Sequence, residues 1–147
     1  MPQPAPPRLD EAQIFRLLRL HRRALAFRNA QQTSDGGFVL AGHTRLDDSD
    51  TEAWLIKTNA KGTIEWQKSF GRSDADWVYS LQLTGDGGYA MACQSEAPGG
   101  ERSDIVYLKT DSNGTPVVQH AYAMKSGGSY YGRYYPWHLV LTSDAGY

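Results

Sequence analysis

The sequence predicts an all-β fold, and three observations carry that prediction. Short apolar stretches alternate with polar residues on a two-residue period, glycine-containing turn signals separate them, and both recur along the chain in one order. Aromatics make up 12% of the chain and glycines number 15, which suits strands joined by tight turns.

The recurrence is specific. "TSDGGFVLAG" begins at Thr33, "TGDGGYAMAC" at Thr84, and "TSDAGY" at Thr142. A second landmark keeps the same phase: "WLIKTNAKGT" from Trp54 aligns with "VYLKTDSNGT" from Val106, placing Lys57 over Lys109 and Gly62 over Gly114. A third joins "DWVYSLQLT" from Asp76 to "YYPWHLVLT" from Tyr134. Three landmarks in one order mark an internal repeat.

Each unit reads as four strands. In the complete unit they are expected at 77–83, 89–94, 104–110 and 117–122, with Tyr89, Met91 and Cys93 on one face of the second. The turns that separate them are structural expectations. Asp35, Gly36 and Gly37, and in the next unit Asp86, Gly87 and Gly88, pair a backbone-bonding carboxylate with residues free to take positive φ. Asn113 and Gly114 supply hairpin chemistry between the third and fourth strands. Four antiparallel strands recurring at about 50 residues match the arithmetic of a propeller blade. The expected fold class is therefore all-β, a partial β-propeller of about two to three four-stranded antiparallel blades, with a short N-terminal helical segment. Its divisions are a non-repeat segment at 1–29, blades at 30–75 and 76–124, and the start of a third blade at 125–147.

From 30 to 147 the landmarks resemble the DGGY-type β-propeller repeats of bacterial and archaeal exported or surface proteins. That resemblance implies a secreted or cell-surface repeat protein and transfers no catalytic residue. A propeller closes with about 4–8 blades. The expectation is thus a piece of a longer chain, whose partners are the neighbouring blades, or a chain that closes by self-association.

The first residues differ in kind. Arg8, Arg16, Arg19, Arg22, Arg23 and Arg28 precede the first lysine, Lys57, and Pro2, Pro4, Pro6 and Pro7 crowd the start. From Asp10 to Phe27 the spacing of Ile14, Leu17, Leu18 and Leu25 predicts an amphipathic helix. Arginines interrupt any signal-peptide core, and no apolar run approaches a membrane span.

Composition narrows the function classes. The net charge of −1 gives no basic footprint for nucleic acid. One cysteine, Cys93, provides neither a disulfide nor zinc-site spacing and reads as a buried thiol. Asp47, Asp48, Asp50 and Glu52 form the densest carboxylate group, but they lack the order of a calcium loop and read as a solvated acidic loop. His21, His43, His120 and His138 are scattered, without a nucleophile motif. No enzyme, metal site or cofactor is expected.

The segment "GGSYYGRYYPW" is the exception. Tyr130, Tyr131 and Arg133 are the ligand-contact candidates, because aromatic clusters on loops stack on sugars or anchor protein interfaces. Tyr135 and Trp137 match Trp77 and Tyr79 and are expected in the core. The function expected is a non-catalytic binding or scaffold module whose partner is a glycan or a protein. The alternatives are a propeller-type glycan hydrolase and a self-assembling, lectin-like propeller.

Overall fold

The computed structural model describes residues 24–45, 51–71, 75–96, 103–123, 136–140 and 142. Within them the secondary structure is entirely β. The strands are β1 (Ala24–Gln32), β2 (Phe38–Arg45), β3 (Thr51–Thr58), β4 (Ile64–Phe70), β5 (Ala75–Leu83), β6 (Tyr89–Glu96), β7 (Ser103–Thr110) and β8 (Pro116–Tyr122). The strands expected in the complete unit fall inside β5 to β8. Alternation and turn chemistry are local signals that survive into the folded chain.

The expected propeller of separate four-stranded blades is not what forms. All eight strands belong to one open, mixed sheet, ordered β1-β2-β3-β5-β6-β7-β8 with β4 paired to β3. Consecutive strands from β1 to β4, and again from β5 to β8, pair antiparallel. A single parallel bridge, Thr51 to Ala75, joins the two meanders. The end strands β1 and β8 do not pair with each other, so the sheet does not close. The repeat fixes where each strand begins and turns. Closure depends on how meanders meet, and one bridge joins them here.

The helix expected from Asp10 to Phe27 is overruled at its end: Ala24 to Phe27 lie in β1, with Ala26 opposite His43 and Phe27 opposite Gly42. Pairing along β2 outweighs a helical spacing in which Leu25 and Phe27 serve a strand equally well. Residues 10–23 of that expected helix lie outside the described residues. No described helix is long and apolar enough to cross a membrane.

One core unites the meanders. Val39, Ala41, Ala53 and Leu55 from the first share a buried cluster with Val78, Leu81, Tyr89, Met91, Cys93, Val106 and Leu108 from the second. The opposite face of the first meander buries Phe38, Leu40, Trp54 and Ile56 beside Phe27 and Ile64, with Phe27 stacked on Trp54 at 5.5 Å. Side-chain amides lace β1 to β5 where no backbone ladder does. Gln31 Nε2 donates to the Leu81 carbonyl at 2.7 Å, Leu83 N–H donates to Gln31 Oε1 at 3.3 Å, and Asn29 Nδ2 donates to the Tyr79 carbonyl at 2.9 Å. Leu139 N–H extends this lacing to Ser80 Oγ at 3.0 Å.

Within each Asp-Gly-Gly turn the two glycines do different jobs. The first, Gly36 or Gly87, takes φ of 81° or 82°, a region L side chains avoid. The second faces a close approach: a Cβ on Gly37 would collide with the Thr58 carbonyl, and one on Gly88 with the Thr110 carbonyl.

Candidate functional site

Polar side chains gather at the turn end of the sheet, where both meanders carry the same staple. Asp35 Oδ1 accepts from the Thr33 hydroxyl at 2.5 Å and from Gly37 N–H at 2.9 Å, and its other oxygen accepts from Lys57 Nζ at 2.8 Å. Lys57 also donates to Glu65 Oε2 and to the Thr58 carbonyl, both at 2.8 Å. In the second meander, Thr84 and Gly88 N–H bond Asp86 Oδ1, and Lys109 reaches Asp86 Oδ2 at 2.6 Å. The counterpart of Glu65 there is Val117, by the ladder registers.

These bonds set the charges. Lys57 and Thr33 hold the Asp35 carboxyl at about 2, below its ordinary 3.8. Lys109 and Thr84 lower Asp86 as well. Burial works against the Lys57 ammonium, but its bonds to Asp35 and Glu65 prevail and raise its pKa. Each carboxylate thus remains ionised and engaged with a turn and a lysine. A cleft of about 450 Å³ lies between the two turns, lined by Asp35, Lys57, Thr84, Tyr89 and Ser112 among others.

Asp111 and Asn59 anchor a second pair of matched turns. Asp111 Oδ1 accepts from Asn113 and Thr115 N–H, as Asn59 Oδ1 does from Lys61 and Thr63. Gly114 takes φ of 74° and lies beneath the Trp66 ring, which locks the β7–β8 turn onto β4. Trp66 in turn sits 5.8 Å from Tyr89.

At the other end, a cleft of about 370 Å³ opens between the meanders beside Glu52, Asp76 and Cys93. Burial pushes the Cys93 thiol up to about 12, and the nearby Asp76 charge adds to that shift. Burial, then the nearby Arg28 charge, lowers the His43 pKa, so His43 is kept neutral. Among the described residues, no group of three or more His, Cys, Asp or Glu is placed to hold a metal ion.

Another concavity lies over the β6–β8 face. It measures about 620 Å³, with an apolar floor from Ala92, Ile105 and Val118. His120, Tyr122 and His138 supply its polar tips, and Pro136 and Leu139 close one side. Sequence reading missed this surface. Its residues come from four separated segments, and only the pairing of β6, β7 and β8 gathers them.

Tyr130, Tyr131 and Arg133 lie outside the described residues, as do Asp47, Asp48 and Asp50. Asp35, Gly36, Gly37, Asp86, Gly87, Gly88, Asn113 and Gly114 all lie in tight turns. Trp137, expected in the core, is 65% exposed. It meets Tyr79 edge-on, with ring centroids 5.9 Å apart, instead of entering the buried cluster.

No protein-family model matches the chain, and no curated protein is significantly similar to it.

Proposed function

We propose that this chain is a non-catalytic binding module that takes its ligand on the β6–β8 face. The observation that carries this reading is the 620 Å³ concavity, with its apolar floor and the polar tips of His120, Tyr122 and His138. Such a mix favours a ligand with one apolar face and hydrogen-bonding edges, as a sugar ring or an aromatic peptide side chain has. The Asp35 and Asp86 carboxylates instead serve the same turn in both meanders, which argues for structure over acid–base work. The likeness of the repeat landmarks to exported proteins supports a secreted or cell-surface setting.

The test is a glycan array and a peptide array probed with the intact chain, followed by titration of any hit against Tyr122→Ala and His120→Ala. Both side chains are exposed, so the variants should keep the native melting temperature while affinity falls by about tenfold. No saturable hit on either array, or hits that both variants retain at full strength, refutes the reading.

A scaffold role has its own support. The strand β8 is exposed along its whole length and carries no charge, with Val117 and Tyr122 more than half exposed. Its counterpart β4 carries Glu65 and Lys68. Uncharged edge strands pair with other strands. Light scattering of the native chain beside Val117→Lys tests this: a concentration-dependent dimer that the lysine abolishes supports it, and a native monomer refutes it.

A further inference from the structure

We infer that Arg28, Tyr79 and Trp137, none of which lines the β6–β8 concavity, form a separate binding strip for a carboxylate-bearing sugar chain.

The three residues hold the same place in the sequence repeat, each five positions before the threonine that opens a turn segment: Thr33, Thr84 and Thr142. The fold brings them into contact. The Arg28 guanidinium lies over the Tyr79 ring, 5.2 Å from its centroid. The Tyr79 ring meets Trp137 edge-on at 5.9 Å, with an interplanar angle of 76°. The lacing of Asn29 to the Tyr79 carbonyl and of Leu139 N–H to Ser80 Oγ fixes the three segments side by side.

A second, independent observation is in the backbone. The β1–β2 ladder shifts register between Phe27 and Asn29, and the β5–β6 ladder shifts between Val78 and Ser80. Arg28 and Tyr79 are therefore the extra residues at two equivalent irregularities. A bulge turns its extra side chain out of the ladder, and bulges concentrate beside functional sites. Here both turn residues into one column that ends on an exposed indole.

The chemistry of the column selects the ligand. Trp137 is 65% exposed, and an exposed aromatic ring is the surface on which the C–H face of a sugar stacks. Arg28 is exposed and has no ion pair among the described residues. A guanidinium presents planar N–H edges that match a carboxylate in bidentate fashion. His138, next to Trp137 in sequence, is exposed and supplies a hydrogen-bonding group for a hydroxyl. A protein partner requires a broader apolar patch, roughly 800 Å² on each side, whereas the strip is one residue wide.

The experiment is calorimetric titration of the intact chain with an oligogalacturonate, its carboxyl-reduced neutral counterpart, and an acidic peptide. The expected result is saturable binding of the oligogalacturonate, about tenfold weaker binding of the neutral form, and none of the peptide. Trp137→Ala should abolish binding of both sugars. Arg28→Gln should bring the charged sugar down to the neutral level, and Arg28→Lys should restore only part of the difference, because an ammonium lacks the planar fork. Melting temperatures of all three variants should match the native chain.

The strip is refuted if the two sugars bind equally, if Trp137→Ala leaves binding intact, or if neither sugar binds. Binding of the acidic peptide alone also refutes the sugar assignment. Sugar binding that Tyr122→Ala removes and Trp137→Ala does not would sink the strip while leaving the binding-module reading standing.

Discussion

Replacing Lys57 by Met should destabilise the chain clearly more than the matched change at Lys109. Both lysines occupy the same rung and bond the turn carboxylate behind them, yet their surroundings differ. The Lys57 side chain is 6% exposed and holds two carboxylates, Asp35 and Glu65, with the Thr58 carbonyl as a third acceptor. The Lys109 side chain is 16% exposed, and Val117 stands where Glu65 stands in the first meander. Methionine keeps the stem and its packing but removes the ammonium, leaving Asp35 and Glu65 without their shared counter-charge. Losing one member of a fully buried pair costs about 3–5 kcal/mol. Here the carboxylate side chains are 56% and 44% exposed, so water screens much of the interaction. A loss of about 2 kcal/mol for Lys57→Met follows, against about 1 kcal/mol or less for Lys109→Met. Urea unfolding followed by circular dichroism reads the difference, with unchanged slopes as the check on two-state behaviour. Equal losses at the two sites, or a larger loss at Lys109, would refute the argument from burial and from the Glu65 contact.

Three further predictions come from the same geometry. Gly88→Ala drives a Cβ into the Thr110 carbonyl, whereas Gly85→Ala meets open space; thermal unfolding should show a loss of about 2 kcal/mol or more for the first and almost none for the second. The Cys93 thiol is 4% exposed and held at about 12, so Ellman's reagent at pH 8 should leave it unmodified until denaturant is added; rapid labelling of the native chain would show that the core opens. Asp35 is ordinarily 3.8 and is lowered to about 2 on folding, so its contribution is present above pH 3.8 and is lost as pH falls through about 2. Exposure holds that contribution to about 1 kcal/mol or less. Urea midpoints measured from pH 5 to pH 2 should fall less steeply in Asp35→Asn than in the native chain, and parallel curves would contradict the assignment.

Much of the local structure was legible because its causes are local. Asp35-Gly36-Gly37 and Asp86-Gly87-Gly88 announce a turn through a backbone-bonding carboxylate and a glycine at positive φ. The alternation of Tyr89, Met91 and Cys93 places all three in one buried cluster. The in-phase lysines were visible as a landmark, but their role was not. A lysine in an apolar strand gains meaning only when the turn behind it delivers a carboxylate to its Nζ. Trp137 was misplaced for a similar reason. Its match to Tyr79 gave its position in the repeat, while its exposure is set by contacts with distant segments, such as the edge-on meeting with Tyr79.

The sequence by itself determined the all-β class, the positions of β5 to β8 to within a residue or two and the turns between them, since period-two alternation and glycine conformation act over a few residues. Only the tertiary structure decided that the strands join as one open sheet and not as separate blades. The same holds for the residues that meet across it: Arg28 with Tyr79 and Trp137, Lys57 with Glu65, and the ring of side chains over β6–β8. Those contacts depend on the register and mutual packing of segments distant in the chain, and short-range periodicity carries no term for either.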